Sequence, residues 1–506
     1  MTTIHTGPID RTAQVWRGNP DRLRVDCRPL VGGARRDMPD SATFEIRSPI
    51  TDTVITLAPE CDDRDVDDAV RAARAEFDHG DWPRTPPAER SAALTRWAEA
   101  IQAHADELAV LICWETGKPV RDCLEIDVTG VAGAICWYAA AIGKHAGAHP
   151  DTGTRSLAFV AREPAGVIAA ITPWNFPLAQ LGYEVAPALS LGNTVVIKPS
   201  EHAPLAMLRC AELAHTAGIP GAALAVLPGG GRAGAALGLH PGIDVVSVTG
   251  SPAAGRAFLT YSASSNAKRV WPEVGGKSTA IICADAPDLD MVARNLVWGA
   301  YFNQGQMCTG VSRVLVERAI ATDLVAALSK AIDGLVLGDP MNWDTDIGPM
   351  ITAAAARTVT DLIDTAVDGG ATILRGGPVR SAPTSGAYVA PTLLTGAAPH
   401  ARILTEEVFG PVATVLEVEG PDHAAELASG FETGIAASIW TRDLDTAVGL
   451  AKRLHVGTVW VNGFETDDLT VPAGGRGPSG YGRSKSLAVL EKYSDLKTTW
   501  ITLKSG

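Results

Sequence analysis

The chain has 506 residues, of which 46% are apolar and 20% are charged, and its formal net charge is −14. This length allows two or three domains, and the composition is that of a globular protein rather than a disordered chain. The 43 Lys and Arg residues form no basic stripe, so we expect no nucleic-acid partner.

The N-terminal segment MTTIHTGPIDRTAQ lacks the basic start and the apolar run of a secretory signal. The longest apolar run, between Asp127 and Lys144, is shorter than the roughly 20 residues that a membrane span needs. We therefore expect a cytoplasmic protein with no membrane partner. The eight cysteines include no C-x-x-C pair and do not cluster with histidines, which predicts reduced thiols and no metal site.

From about Asp62 to Ile112, apolar residues recur at a spacing of three to four, which predicts helices. From Val167 the pattern changes to short apolar runs that end in Gly, Pro or Ser and alternate with helical stretches such as PLAMLRCAELAHTAG. The runs are GVIAAITP, NTVVIKPS, AALAVLPGGG and IDVVSVTGS. This alternation predicts a parallel α/β sheet, in which ligands bind at the carboxyl ends of the strands.

A second series of apolar runs begins near Ser278 and is again interleaved with helical stretches such as DLVAALSKAIDGL. Its runs are STAIICA, SRVLVER, GPVATVLEVE, GIAASIWT and GTVWVNG. We therefore predict two α/β domains. No solenoid repeat or low-complexity tract is visible.

Two glycine-rich stretches could hold a phosphate. Gly229-x-Gly231-x-x-Gly234 matches the dinucleotide fingerprint, but no convincing carboxylate follows about twenty residues later, and a glycine-rich turn needs no ligand. In VSVTGSPAAG, Gly250 and Ser251 precede a helical segment whose N-terminal N–H groups could hold a pyrophosphate. Both interpretations stay open for each stretch.

Four further polar stretches each have a purely structural interpretation: ITPWNFP (171–177), KPSE (198–201), EVGGK (273–277) and FNQGQMC (302–308). An Asn before Phe-Pro makes a turn, and Ser200 or Glu201 can cap a helix. Glu273 could end a solvated strand. A free cysteine such as Cys308 usually fills space as a small hydrophobe.

Taken together, these stretches resemble the aldehyde dehydrogenase superfamily, because they occur in that family's order with TGS, EEVFGPV (406–412) and P-x-GG…SG-x-GR (472–483). The resemblance runs from about Arg47 to Thr502. It implies an α/β, aldehyde dehydrogenase-like fold with a Rossmann-type NAD-binding domain (1–142 and 163–276), a catalytic α/β domain (277–484) and small bridging, oligomerisation strands (143–162 and 485–506).

The resemblance also implies a mechanism of aldehyde oxidation. Cys308 attacks the aldehyde to give a thiohemiacetal, and hydride then leaves for the nicotinamide to give a thioester. Asn175 and the Cys308 N–H form the oxyanion hole. Glu273 is the general base that activates water for hydrolysis, a task that suits a carboxylate whose pKa is raised by burial.

The resemblance implies NAD as the cofactor, with NADP as the alternative. Lys198 and Glu201 would contact the adenosine ribose, and a carboxylate there would repel a 2′-phosphate. Trp174 would line the cofactor site, although a core position explains it equally well. The implied cofactor residues are Thr172, Trp174, Lys198, Ser200, Glu201, Gly231, Gly250, Ser251, Glu407 and Phe409.

The substrate is indicated by the tail GRSKSLAVLEKYSDLKTTWITL, which resembles the γ-glutamyl-γ-aminobutyraldehyde and other aminoaldehyde dehydrogenases, as do KRVWPEVGGKS and IWTRDL. The acidic residues Glu465, Asp467 and Asp468 could attract a cationic amine or could form a solvated loop. The predicted substrate tunnel comprises Phe176, Tyr183, Met307, Thr309, Asp467 and Ala473.

Three positions depart from the family pattern. Ala473 stands where an aromatic residue is common, which favours bulkier aldehydes. Glu184 stands where the family usually has lysine, and Ser484 where it usually has an acid. These two changes suggest a rewired proton path behind Glu273.

Three functions therefore stay open. The chain could be an aminoaldehyde dehydrogenase, a dehydrogenase for a bulky neutral or aromatic aldehyde, or a non-catalytic NAD-binding protein on the same fold. The β-branched C-terminal run TTWITL would be an exposed strand edge in a monomer, so we expect a dimer or a dimer of dimers (a homotetramer).

Overall fold

The computed structural model describes residues 26–38, 41–377, 379, 381–430 and 434–504. The N-terminal segment that was searched for a signal lies outside these residues. The strands are β1 (Leu30–Val31), β2 (Ala34–Arg35), β3 (Thr43–Arg47), β4 (Val54–Pro59), β5 (Ser156–Pro164), β6 (Val167–Ile171), β7 (Thr194–Lys198), β8 (Leu224–Val226), β9 (Val245–Gly250), β10 (Arg269–Val274), β11 (Ser278–Ile282), β12 (Val311–Glu317), β13 (Thr372–Arg375), β14 (Thr392–Thr395), β15 (Val412–Val418), β16 (Ala436–Trp440), β17 (Thr458–Val461) and β18 (Ser494–Thr502).

Helices cover the faces of the sheets. The α-helices are Asp63–His79, Pro87–Ala103, Ala105–Thr116, Val120–Ala141, Ala186–Ser190, Leu205–Thr216, Gly231–Leu239, Pro252–Ala263, Leu289–Tyr301, Ala321–Asp333, Ala353–Asp368, Arg402–Thr405, Pro421–Ser429 and Leu444–Arg453. Wider π-helical turns occur at Cys123–Val128 and Leu181–Val185. Short 3-10 turns lie at Trp82–Arg84, Phe302–Gly305, Arg318–Ile320, Gly477–Ser479 and Leu487–Glu491.

The structure contains two seven-stranded sheets, and the chain passes from the first to the second between Val274, the end of β10, and Ser278, the start of β11. The first has the order β10-β9-β6-β7-β8-β1-β2 and is parallel from β10 to β8. The second has the order β13-β14-β15-β12-β11-β16-β17 and is parallel except for β13. Every residue of β6, β7, β11 and β16 is buried, as expected for parallel strands that are covered on both faces.

The order of the first sheet reverses between β6 and β9. The chain runs from β6 outward to β7 and β8, and later continues from β9 outward to β10. Such a reversal separates the loops that follow the two central strands and leaves a crevice at their carboxyl ends. The segments after β6, β7 and β9 therefore border one site.

Two further pairs of strands stand outside these sheets. β3 pairs with β4, and β18 pairs with β5 along nine residues, from Ser494 opposite Pro164 to Thr502 opposite Ser156. All of β18 after Ser494 is exposed, including Leu496 and Trp500. The C-terminal run is therefore paired on one side and open on the other.

Among the described residues, one helix, Val120–Ala141, is long and apolar enough to cross a membrane. It has 22 residues, and 56% of its most apolar stretch is buried inside the protein. It exceeds the apolar run seen in the sequence because it begins earlier, among charged residues. It packs against Pro87–Ala103, and its buried Asp127 lies 2.7 Å from Lys118 Nζ. These contacts are typical of a core helix.

The predicted helices and all nine predicted strands of the two α/β series are present. The sequence interpretation missed β1–β4, β10, β13 and β14. β10 contains Pro272, which a strand tolerates at the edge of a sheet, and β10 is the edge strand of the first sheet.

Candidate active site

Residues that follow three neighbouring strands meet at one edge of the first sheet. Thr172 follows β6 and donates its backbone N–H to the carbonyl of Lys198, the last residue of β7, at 3.1 Å. Gly250 ends β9, the neighbour of β6 on its other side. The crevice predicted from strand order therefore carries the predicted cofactor residues.

Lys198 is buried in this crevice and is held by backbone oxygens. Its Nζ donates to Pro199 O at 2.8 Å and to Gly229 O at 2.7 Å, and it lies 3.9 Å from Glu201 Oε2. Burial lowers the pKa of Lys198, while Glu201 acts in the opposite direction. Glu201 itself is exposed, so its carboxylate faces the crevice with water around it.

Neither Ser200 nor Glu201 caps a helix, although their positions in the sequence had allowed it: the next helix, Leu205–Thr216, has Pro204 at its N-cap, and its first N–H groups donate to Glu115. Ser200 is buried, and its Oγ accepts a hydrogen bond from the N–H of His202 at 3.3 Å, which stabilises the turn after β7. Ser200 therefore supports the turn in which Lys198 and Glu201 are presented.

The two glycine-rich stretches differ in what their N–H groups contact. In the first, the N–H of Gly230 donates to Glu60 Oε1 at 2.8 Å, so a carboxylate of the protein already occupies this turn, and Gly231 borders open space. In the second, Ser251 caps the helix Pro252–Ala263 by accepting from Ala254 N at 3.2 Å. The second stretch thus presents an exposed helix N-terminus next to β9.

Cys308 follows a strained turn. Asn303, Gln304 and Gly305 have φ of 50°, 56° and 67°, a run in the left-handed region that is unusual for two non-glycine residues. A Cβ on Gly305 would lie 2.1 Å from Gly410 O, so only glycine fits. Strain of this kind persists only where the surroundings hold it, and it is common at functional sites.

The polar side chains of FNQGQ hold this turn. Gln304 Nε2 donates to Gly117 O at 2.9 Å, and Asn303 Nδ2 donates to Asn175 O at 3.0 Å. Gln306 Oε1 accepts from Ile351 N at 3.0 Å, and its Nε2 donates to Asn303 O at 3.2 Å. The motif is therefore a scaffold that fixes the backbone before the cysteine.

Asn175 joins the first sheet to this turn. It is buried, and its Nδ2 donates to Gln306 O at 3.0 Å, two residues before Cys308. An amide nitrogen has a second N–H, which stays available for an oxygen beside the cysteine. The structure therefore brings Asn175 and the segment of Cys308 together.

The Cys308 thiol is half-buried, and burial is the main cause that raises its pKa to about 12. The carboxylates of Glu465, Glu407 and Glu273 raise it further, and the N–H of Thr309 lowers it. Since the thiolate is the nucleophile, this thiol needs a base to take its proton.

Glu273 lies in β10, and burial raises its pKa to about 8, with opposing effects from Lys492 and Arg483 and a further increase from Glu184. Its Oε1 is buried and finds no hydrogen-bond partner in the described part of the chain. A Cβ on Gly482 would lie 2.9 Å from this oxygen, so the backbone leaves little room on that side. The carboxyl group has the environment of a general base near neutral pH rather than that of a solvated strand end.

Glu407 and Phe409 approach the same region from the second sheet. Glu407 Oε1 accepts from Gly276 N at 3.0 Å, and burial raises the pKa of its carboxyl group. A Cβ on Gly275 would lie 2.0 Å from Glu407 Oε2. The Phe409 ring contacts Trp174 edge-on, with the ring centroids 5.6 Å apart, so Trp174 faces the site as well as the core.

A row of aromatic rings extends from the residue after Asn175 to the surface. Phe176 stacks on Phe302 at 6.1 Å, and Phe302 stacks on the half-exposed Trp298 at 4.9 Å. The buried ammonium of Lys118 lies 4.0 Å from the Phe176 ring centroid. Trp298 and Phe302 also line a cavity of about 440 Å³ next to the helix Ala321–Asp333.

The other residues predicted to line the substrate tunnel differ in their burial. Met307 is buried, whereas Thr309, Tyr183 and Ala473 are half-buried. Ala473 pairs with Ser484 by two backbone hydrogen bonds of 2.9 Å and 2.8 Å. The two departures from the family pattern at these positions are therefore neighbours in space.

The three acidic residues of the substrate-side loop have different environments. Asp467 accepts from Trp460 Nε1 at 2.7 Å and from Lys485 Nζ at 3.1 Å, so its charge is neutralised. Asp468 is exposed and accepts from Thr470 N at 2.8 Å. Burial raises the pKa of Glu465, which hydrogen-bonds to Thr309 and acts on the Cys308 thiol. Glu465 is therefore the loop carboxylate that faces the nucleophile.

Glu184 is buried in a cluster that the sequence interpretation identified only in part. Ser247 Oγ donates to Glu184 Oε2 at 3.1 Å, and the hydroxyls of Ser484 and Tyr493 also donate to this carboxylate. Lys492 Nζ lies 2.7 Å from Glu184 Oε2. Ser484 was expected to share a site with Glu184, whereas Lys492 and Tyr493 were missed because the tail LEKYS reads as an ordinary helix end.

In the part of the chain that the structure describes, no group of three or more His, Cys, Asp or Glu side chains could hold a metal ion. The site is thus built from a thiol, an amide and carboxyl groups.

Known proteins are similar to this chain in sequence. The sequence profile described as the aldehyde dehydrogenase family matches residues 37–499. The "NADP/NAD-dependent aldehyde dehydrogenase PuuC" of Escherichia coli (strain K12) is 40% identical over 491 residues, 97% of this chain and 98% of that protein.

Solved structures are also similar. The γ-glutamyl-γ-aminobutyraldehyde dehydrogenase of Burkholderia cenocepacia J2315 superimposes with a TM-score of 0.95 and 40% identity, covering 97% of this chain and 100% of that one. The indole-3-acetaldehyde dehydrogenase AldA of P. syringae, in a complex with NAD+ and IAA, gives a TM-score of 0.95 and 40% identity over 97% of this chain and 99% of that one. The chain therefore belongs to the aldehyde dehydrogenase family, whose fold it has, and it is an aldehyde dehydrogenase.

Proposed function

We propose that this protein oxidises an aldehyde to its carboxylic acid through a thioester on Cys308, with NAD as the cofactor and NADP as the alternative. The observation that carries the proposal is the strained turn that presents Cys308, fixed by buried amide side chains and hydrogen-bonded to Asn175. Such a turn costs free energy and has no evident use in a protein that only binds.

The crevice fits a dinucleotide. Thr172 Oγ1, next to the end of β6, is buried and has no hydrogen-bond partner among the residues that the structure describes, so it suits a polar ligand. Lys198 and Glu201 would hold the adenosine ribose, Gly250 and Ser251 the pyrophosphate, and Glu407 the nicotinamide ribose. When bound, the nicotinamide supplies the acceptor for a hydride. PuuC is named as NADP/NAD-dependent, and the P. syringae structure contains NAD+.

Each catalytic group has one role. Cys308 loses its proton and attacks the carbonyl carbon, while the free N–H of Asn175 and the Cys308 N–H bind the oxygen that becomes negative. After oxidation, Glu273 takes a proton from water, which attacks the thioester and releases the acid. The raised pKa of Glu273 makes it a usable base near neutral pH.

We propose the domain roles that the family resemblance implies, and the division into two sheets is consistent with them. The NAD-binding domain would comprise residues 1–142 and 163–276, the catalytic domain 277–484, and the bridging strands 143–162 and 485–506. The open edge of β18, with Leu496 and Trp500 exposed, would pair with a second copy to give a dimer or a dimer of dimers. A cytoplasmic location completes the proposal.

The substrate class that the site supports best is an aminoaldehyde. Glu465 forms no direct ion pair among the described residues, although the Lys485 ammonium, which is paired with Asp467, lowers its pKa, and its charge acts on Cys308. A protonated amine a few bonds from the aldehyde would place a further positive charge near this carboxylate. The tail motif supports the same class. The similar structure from Burkholderia cenocepacia is named for γ-glutamyl-γ-aminobutyraldehyde, an aminoaldehyde derivative whose nitrogen is acylated.

A neutral aromatic aldehyde is the second candidate. The row of Phe176, Phe302 and Trp298 offers faces on which an aromatic ring can pack, and Ala473 leaves space where a ring is common. The indole-3-acetaldehyde dehydrogenase among the similar structures is consistent with this candidate. Unchanged preference among aldehydes in Ala473→Phe would contradict it.

The first experiment measures NADH formation with 3-aminopropanal, butanal and phenylacetaldehyde. The first two have the same number of non-hydrogen atoms and differ in charge, so their kcat/KM ratio reports charge recognition alone. Cys308→Ala should abolish turnover while NAD binding persists. Acid production by Cys308→Ala would overturn the mechanism.

Glu465→Gln is the variant that decides the substrate. It should lower kcat/KM for 3-aminopropanal about tenfold to a hundredfold, since hydrogen bonds to charged groups contribute about 1.5–3 kcal/mol. Butanal should be nearly unaffected. An equal loss for both aldehydes would leave the aromatic candidate as the better one.

A further inference from the structure

The carboxylate of Glu184 sits inside the protein with four partners from three parts of the chain. Three hydroxyls, those of Ser247, Ser484 and Tyr493, donate to it, and the ammonium of Lys492 lies 2.7 Å from Oε2. Glu184 and Lys492 therefore form a buried ion pair, around which the three hydroxyls are arranged.

This cluster lies directly behind the general base. Ser247 in β9 is opposite Trp271 in β10, and Thr249, two residues on, is opposite Glu273. Side chains two residues apart in a strand share a face of the sheet, so Ser247 and Glu273 point to the same side. Ser484 belongs to the backbone segment that begins with Gly482, which confines Glu273 Oε1.

Both charges of the cluster act on Glu273. Lys492 is the charged group with the strongest effect on its pKa and lowers it, and Glu184 raises it. Arg483 also lowers it, and its own guanidinium is held by Gly475 O at 2.8 Å. The charged or titratable groups that face Glu273 or the cluster are Glu184, Lys492, Arg483, Cys308, Tyr138 and Tyr493.

We propose that Lys492 is a positioning residue for the general base: Glu184 and its three hydroxyl donors hold the Lys492 ammonium behind Glu273, where its positive charge favours the ionised carboxylate. Without that cation, the buried Glu273 would face only the negative charge of Glu184 on this side. The inference rests on the proposed role of Glu273. It goes beyond that role because it assigns the control of the base to residues about 220 positions along the chain from it.

Opposite changes in charge should move the pH dependence in opposite directions. Lys492→Gln should shift the acid limb of kcat to higher pH by roughly one unit, and Glu184→Gln should shift it to lower pH, since a neighbouring charge moves a pKa by about 1–3 units. Lys492→Arg keeps the positive charge, so kcat should fall at the same pH on the acid side of the profile as in the wild-type protein. A merely structural role would lower activity at every pH without moving the limb.

The experiment records pH profiles of steady-state NADH formation, with NAD binding and thermal unfolding as folding controls. If Lys492→Gln does not fold because it leaves Glu184 unpaired, the double variant Glu184→Gln/Lys492→Gln is compared with Glu184→Gln alone, and its limb should lie at higher pH. Shifts in the same direction, or none, would overturn the inference. Glu273→Gln is measured in parallel: retained turnover in that variant would instead overturn the role of Glu273 as the base.

Discussion

The turn before Cys308 and the substrate-side loop 462–473 both place non-glycine residues at positive φ, yet they are stabilised differently. In the turn, Asn303 and Gln304 are buried and hydrogen-bonded to backbone atoms of distant segments. In the loop, Glu465 has φ of 51° at a half-buried position, and the nearby anchor is the ion pair of Asp467 with Lys485.

This difference suggests that the turn serves the chemical step and that the loop sets the choice of substrate. The turn depends on directional hydrogen bonds among buried side chains, so its geometry is rigid and suits the reacting atoms. The loop depends on an ion pair whose side chains are 12% and 15% exposed, and an ion pair is less directional than a set of amide hydrogen bonds. We expect changes in the turn to remove activity and changes in the loop to alter the choice of aldehyde.

The largest effect should come from Gly305→Ala. The left-handed backbone costs about 1–3 kcal/mol for a residue with a side chain, and the new Cβ would collide with Gly410 O. We expect a clear loss in the midpoint of denaturant unfolding and almost no turnover. Gly449→Ala, in a helix where a Cβ meets nothing, is the matched control and should fold and react normally. Normal activity in Gly305→Ala would show that the turn need not be strained.

Asn175→Ala should have the next largest effect. Loss of one oxyanion donor typically lowers kcat about 10²–10³-fold, and here the hydrogen bond to Gln306 O is lost as well. Stopped-flow measurement of the first NADH formed should show that the loss is in the step at Cys308. Asn295→Ala, which removes an amide bonded to Met291 O within a helix, should leave kcat unchanged. A purely KM effect of Asn175→Ala would contradict the oxyanion role.

The wild-type protein should lose activity in acid. Because the pKa of Glu273 is raised to about 8, its carboxyl group is mostly protonated below that pH and cannot accept a proton. We expect kcat to fall about tenfold per pH unit below the limb and to level off above it. The pH profile of steady-state turnover tests this, provided that unfolding is excluded at each pH. A limb near the ordinary pKa of a glutamate, about 4.3, would show that the base is solvated.

Lys485→Met should have the smallest effect and should concern the loop alone. The variant removes the cation that neutralises Asp467, so a second negative charge faces the approach to Cys308. We expect KM for 3-aminopropanal to fall about threefold, and we expect a lower midpoint of denaturant unfolding because the variant leaves the largely buried Asp467 carboxylate without its cation. The exposed Lys452→Met serves as the control. A lower KM for butanal as well would indicate a change in shape rather than in charge.

Much of the fold could be predicted from the sequence because its strands are buried in parallel sheets. Such strands appear as unbroken apolar runs, for example TVVIK in β7 and STAII in β11. β10 escaped prediction because Pro272 and Glu273 interrupt its pattern, and only its place at the edge of the sheet permits them. The short strands β1 and β2 carry too few residues to show a period.

The candidate site could be predicted where its residues lie in a local motif. FNQGQMC contains both the cysteine and the amides that fix its turn, so the sequence by itself determined that Cys308 is presented in one conformation. The family order of motifs likewise predicts that Asn175 and Glu273 belong to the same site. The turn can be predicted because its residues are neighbours in the sequence, and the grouping of distant residues can be predicted because the motifs occur in the family's order.

Charge balance was decided by the tertiary structure alone. The sequence shows three acidic residues near Ala473, but only the fold pairs Asp467 with Lys485 and leaves Glu465 beside the nucleophile. It likewise shows Glu184 in place of a lysine, but only the fold supplies the compensating ammonium from Lys492, more than 300 residues away. The physical reason is that ionisation depends on burial and on neighbours within a few ångströms, and spacing along the chain carries no record of either.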